Sequence, residues 1–172
     1  MNQITTQYVT ENGACYEQYV ITDPAAKTSL TITPERGGMI TGFTLDGDEY
    51  IWTRRPNFSE CNRPRFGVPV LFPSCGNPDG GVHNFDGKAY PMETHGFADL
   101  CGWDVESVGP DGVTLALEST PLTKFLYPFD FTLLGHTFTV RGASPTLKST
   151  ILYRTMAFTT VVRPSAPATL KR

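Results

Sequence analysis

Short runs of alternating or β-branched residues, separated by glycine, proline and aspartate, recur along most of the chain. Tyr16–Ile21 and Ser29–Thr33 enrich aromatic and β-branched residues on either side of Asp23-Pro24-Ala25-Ala26, which predicts two strands and a turn. Pro34-Glu35-Arg36-Gly37-Gly38 leads into a third strand, Ile40–Leu45, with Gly37-Gly38 read as a bend between strands. Asp46-Gly47-Asp48 predicts a tight hairpin, because Asp-Gly accepts the positive φ that a two-residue turn needs, and Tyr50-Ile51-Trp52 is the expected return strand. Val68–Phe72 is an apolar run bracketed by Pro69 and Pro73, compatible with a buried strand at a sheet edge or bulge. Phe85–Tyr90 folds around Asp86-Gly87 as another hairpin. Trp103–Val108, Val113–Glu118, Phe129–Leu134 and Thr137–Arg141 predict four more strands, the first two joined by Gly109-Pro110-Asp111-Gly112. No segment sustains a 3.6-residue period, so the class is all-β, a sandwich or barrel of short strands.

Composition narrows the partners. A chain of 172 residues has the length of one domain and can bury a substantial core. A net charge of −3 argues against a nucleic-acid partner, and no apolar run approaches membrane-spanning length. The amino terminus has no cationic start, apolar core or small-residue cleavage site, which predicts no export and a cytoplasmic protein. Cys15, Cys61, Cys75 and Cys101 form no CxxC pair and are expected as free thiols. Without export, the sequon Asn57-Phe58-Ser59 carries no meaning. Charge is unevenly placed: residues 131–172 hold six Lys or Arg and no Asp or Glu, so the last part is basic and the rest acidic.

Candidate chemistry gathers in the glycine- and proline-rich stretch from Arg65 to Trp103, the kind of loop on which a fixed scaffold displays polar side chains. Its sharpest piece is His95-Gly96-Phe97-Ala98, where a titratable imidazole stands beside a residue with no side chain, open to close approach by a ligand, followed by an aromatic face. Arg54, Arg55, Arg63 and Arg65 form a local basic cluster, read either as a solvated loop or as an anion or sugar-hydroxyl contact. His83 is expected on an exposed hairpin, and His136 in a strand with a structural role. A zinc site from His83, His95, Cys75 and Cys101 matches no standard ligand spacing, so no metal is expected.

Arg65-Phe66-Gly67-Val68-Pro69-Val70-Leu71-Phe72-Pro73, then Cys75-Gly76-Asn77, then the hairpin ending Phe85-Asp86-Gly87-Lys88-Ala89-Tyr90-Pro91, then His95-Gly96-Phe97-Ala98 and Trp103 form an ordered series. In that order and with those gaps the chain resembles the aldose 1-epimerase (galactose mutarotase-like) family, and weaker resemblance runs from about Tyr19 to Gly142. The resemblance implies a galactose mutarotase-like β-sandwich and an isomerase that interconverts the α and β anomers of an aldohexose by acid/base ring opening, with no cofactor. It implies His95 as the catalytic group, and Arg65, Asn77, His95 and Phe97 as sugar contacts. Two departures stand out: Asn77 occupies a place where many members carry arginine, and Asp99 follows HGFA where an arginine is common, which counts against a phosphate clamp. Trp103 is read as core.

The resemblance stops near Ala143. Residues 1–142 are therefore read as the N-terminal part of the sandwich, and 143–172 as a basic, Ser/Thr/Pro-rich tail: a truncated or out-of-frame end, or a disordered tail. The family's second histidine and carboxylate base come from segments beyond that point, whereas this chain has no histidine after His136 and no carboxylate side chain after Asp130. The alternatives are a sugar-binding sandwich without catalysis and a structural all-β fragment. An incomplete sandwich would expose sheet edges and invite self-association.

Overall fold

The computed structural model describes residues 2–52, 63, 66–110, 112–138, 146–153 and 156–161. Among the described residues, twelve strands form two five-stranded antiparallel sheets and one hairpin. The first sheet runs in chain order: β1 (Gln3–Glu11), β2 (Ala14–Asp23), β3 (Thr28–Thr33), β4 (Met39–Leu45) and β5 (Asp48–Glu49). The second has the order β12-β11-β10-β9-β8, built from β8 (Asp104–Gly109), β9 (Gly112–Glu118), β10 (Phe131–Phe138), β11 (Thr146–Tyr153) and β12 (Met156–Val161). Between them in sequence, β6 (Val82–Phe85) and β7 (Lys88–Pro91) make the hairpin. β11 and β12 lie beyond 143, where the sequence resemblance ends.

Turn chemistry sets most of these boundaries. Asp46-Gly47 and Asp86-Gly87 both have positive φ at the two positions (51° and 94°, 51° and 77°), as a two-residue hairpin requires. Asp23 closes the β2–β3 turn by accepting the Ala25 and Ala26 backbone N–H groups on its carboxylate. Asn12-Gly13 makes the same kind of hairpin between β1 and β2, with φ of 48° and 83°.

One core joins the sheets. Ile21, Leu30, Ile32, Ile40 and Phe43 from the first meet Val113, Leu115, Leu117, Phe131 and Leu133 from the second, with Phe72, Phe97, Ala98 and Trp103 from the intervening loops packed among them. The architecture is therefore a β-sandwich. Three details differ from the sequence expectation. The strands expected at 129–134 and 137–141 are, over the described residues, one strand, β10, with Gly135 in its middle beside the Trp103 ring. Tyr50-Ile51-Trp52 is not a strand, because β5 ends at Glu49. Val68–Phe72 contributes two single bridges, Ile40 to Val68 and Phe72 to Gly96, in place of a strand.

Candidate functional site

An open cleft of about 1270 Å³ lies where three loops converge, lined by residues 50–52, 66–69 and 91–95 together with Arg63, Asn77 and Asp99. It exceeds the roughly 300–1,000 Å³ usual for small-ligand pockets. The sequence stretch singled out for its glycines and prolines thus supplies most of the cleft wall.

Glycines lock these loops together. Gly96 has φ 73°, and a Cβ there would collide with the Phe72 carbonyl, which accepts the Phe97 and Ala98 N–H groups at 2.8 and 3.2 Å. The expectation that the bare backbone at Gly96 admits a ligand is corrected: the space is filled by the Phe72 peptide. Gly37, read as a bend, is a seat as well; a Cβ on it would come within 2.5 Å of the Asp99 carbonyl oxygen.

His95 lines the cleft and is half-buried, with φ 72°. Its Nδ1 lies 3.1 Å from the Cys75 carbonyl oxygen. A carbonyl only accepts, so Nδ1 carries the hydrogen and Nε2 is left to trade a proton with a ligand. The neighbouring bonds explain why Cys75-Gly76-Asn77 precedes it: His95 N–H donates to the Gly76 carbonyl at 3.0 Å, and the Thr94 hydroxyl donates to Asn77 Oδ1 at 2.8 Å. Asn77 is exposed and lines the cleft beside Thr94.

Arg63 and Asp99 meet in the same cleft from 36 residues apart. Arg63 Nη1 donates to Asp99 Oδ2 at 3.2 Å and stands 3.1 Å from Oδ1; Nη2 donates to the Gly96 carbonyl at 2.6 Å and lies 3.6 Å from Glu93. Asp99 is buried, Glu93 exposed. Burial pushes the Asp99 carboxyl above the ordinary aspartate range, with Arg63 pulling the other way.

The remaining expected contacts separate. Phe97 lies in the core, edge-on to Phe72 and 5% exposed, and its backbone, not its ring, serves the site. Trp103 is core, donating Nε1–H to the Ala98 carbonyl at 3.0 Å. His83 is half-buried on β6, its ring edge-on to Phe85. Arg54, Arg55 and Arg65, Cys61 and the sequon at Asn57 lie outside the described residues. The sequence reading missed Glu93, and it missed Tyr50 and Trp52 as cleft residues; an exposed aromatic pair directly after a hairpin turn was the available signal. Among the described residues, no group of three or more His, Cys, Asp or Glu side chains is placed to hold a metal ion, and no helix is long and apolar enough to cross a membrane.

A β-sandwich carrying its cleft on such loops has the galactose mutarotase-like fold. The chain aligns with the Slr1438 protein of Synechocystis sp. PCC 6803 at 29% identity and TM-score 0.74, over 79% of this chain and 48% of that one. A galactose mutarotase related enzyme from Lactobacillus acidophilus aligns at 23% identity and TM-score 0.64, over 78% of this chain and 42% of the other. For galactose 1-epimerase from Lactobacillus acidophilus NCFM the figures are 13% and 0.67, over 89% and 48%. The chain spans about half the length of the solved structures it matches. No protein-family model and no curated protein sequence matches it.

Proposed function

We propose that this chain binds an aldose in the cleft and, through His95, takes part in interconverting its α and β anomers, the reaction of an aldose 1-epimerase. His95 carries the reading: an imidazole on a cleft wall whose Nδ1–H is engaged by Cys75, leaving Nε2 for the ligand. In the reaction a base takes the proton from the anomeric hydroxyl while an acid protonates the ring oxygen as the C1–O5 bond breaks. Rotation about C1–C2 and the reverse steps close the ring on the other face. An imidazole suits such neutral-pH proton traffic. Glu93, two residues before His95 and exposed on the same cleft, is the partner we assign for the second proton. Asp99 is occupied by Arg63.

The substrate we favour is a neutral hexose. Among the described lining residues one guanidinium faces two carboxylates, an arrangement with no surplus positive charge for a phosphate. Asn77 and Thr94 offer hydroxyl contacts, and the reading has the protein at work in the cytoplasm with its thiols reduced. A second reading, sugar binding without catalysis, is favoured by the commitment of Asp99 to Arg63, which leaves the described cleft one histidine and one exposed carboxylate, Glu93, itself 3.6 Å from the same guanidinium.

Polarimetry on freshly dissolved α-glucose and α-galactose separates the two. The enzyme equilibrates them faster than His95→Ala does. Stabilisation by sugar against heat without that rate gain supports binding alone, and neither effect overturns both readings.

A further inference from the structure

Resting on the aldose reading, we propose that Trp52, with Tyr50, is a stacking platform that receives the C–H face of a pyranose ring. These two aromatics are 66% and 62% exposed, and both line the cleft. Large aromatics gain most from burial, so a pair left bare on one concave surface is informative in a way that a single exposed leucine is not.

The platform is built, not incidental. Ile51 between them is half-buried against the core, which fixes the alternation that turns its neighbours outward. Each of the three residues is pinned to a different partner: Tyr50 N–H to the Phe43 carbonyl at 2.8 Å, Ile51 N–H to Glu49 Oε1 at 2.8 Å, and the Trp52 carbonyl to Gly67 N–H at 3.3 Å. The Tyr50 ring also rests on Phe43, with centroids 6.2 Å apart. The same cleft carries Asn77, Thr94, His95 and Glu93, all polar. A ligand matched to both sets has one apolar face and a hydrogen-bonding edge. A pyranose is such a molecule, since its axial C–H bonds point at the negative face of an aromatic ring while its hydroxyls lie around the rim.

The chain has two tryptophans, Trp52 and the buried Trp103 (4% exposed), so iodide quenches the fluorescence of Trp52 selectively. Galactose or glucose should shield Trp52 from iodide, and the open-chain alditol sorbitol, with hydroxyls but no ring face, should not. Trp52→Ala should weaken sugar binding about tenfold, raising KM more than it lowers kcat, and Trp52→Phe should recover most of the loss. Trp103 emission in both variants reports that they are folded. A sugar that binds and anomerises while Trp52 stays open to iodide overturns the platform and leaves the function standing. Shielding by a trimethylammonium compound but not by sugars assigns the aromatics to a cation and overturns it too. If the wild-type chain binds no sugar at all, both readings fall.

Discussion

Arg63 holds Asp99 with one terminal nitrogen and the Gly96 carbonyl with the other, at 3.1 and 2.6 Å. The guanidinium therefore clamps the loop that carries His95 from a point 33 residues away in sequence, contacting residues on both sides of the imidazole. Removing one partner of a buried pair leaves the other charge without compensation, at a cost of about 3–5 kcal/mol. Arg63→Ala should lose that much in urea unfolding. On the proposed epimerase reading, polarimetry should show kcat lowered more than KM is raised, because Arg63 holds the loop of His95 and not a sugar hydroxyl. Arg63→Lys should recover only part, since a single ammonium cannot serve both acceptors in the planar fork geometry.

Through Asp99, stability is expected to fall with rising pH. Its carboxyl is raised chiefly by burial, and Arg63, a backbone hydrogen bond and His95 offset this only in part. The folded pKa therefore exceeds the unfolded one, and between the two the folded chain keeps a proton that the unfolded chain has released. That contribution is complete below the unfolded value of about 3.9 and is lost as pH rises through the raised folded value. Asp99→Asn cannot ionise. Plotted against pH from about 4 upward, the Tm of the wild type should drop relative to that of the variant; a constant gap would show that Asp99 titrates alike in both states.

Gly96→Ala tests the loop geometry directly. The position has φ 73°, and the new methyl would overlap the Phe72 carbonyl, which is backbone and cannot rotate aside. A cost above about 3 kcal/mol is expected from combined strain and displacement. Gly80→Ala has a similar φ of 63° but open space around it, so it should cost only about 1 kcal/mol. Chemical denaturation of the two variants separates crowding from dihedral preference.

What could be read from the sequence followed from local chemistry. Asp46-Gly47 and Asp86-Gly87 announce their hairpins because the turn is encoded in two adjacent residues. His95 stood out through its neighbours, but its bonds to the Cys75 and Gly76 carbonyls were not anticipated. β1 escaped because Thr and Gln alternate there with little apolar contrast, although Asn12-Gly13 was a hairpin signal in plain sight. The Arg63–Asp99 pair was not legible at all. Its members are 36 residues apart with no local signal linking them, and Asp99 is placed by loop packing that seats Gly37 on its backbone and Gly96 on the Phe72 carbonyl.

Phe97 offers the sharpest test of how far a motif can be carried into a role. Its place in HGFA suggested a face for sugar, yet its ring packs at 5.9 Å from Phe72 and 6.0 Å from Phe131, in a core that excludes solvent. Truncating a buried phenylalanine removes transfer energy and leaves a cavity, about 3–5 kcal/mol for Phe97→Ala. Phe97→Leu keeps most of the volume and should cost about 1.5 kcal/mol or less. If the ring is only core, Phe97→Leu keeps KM for sugar within about twofold, under 0.5 kcal/mol of binding energy, while unfolding registers the loss. A selective rise in KM at unchanged stability would instead return the ring to the cleft, and the packing around Phe72 would have to open to let it out.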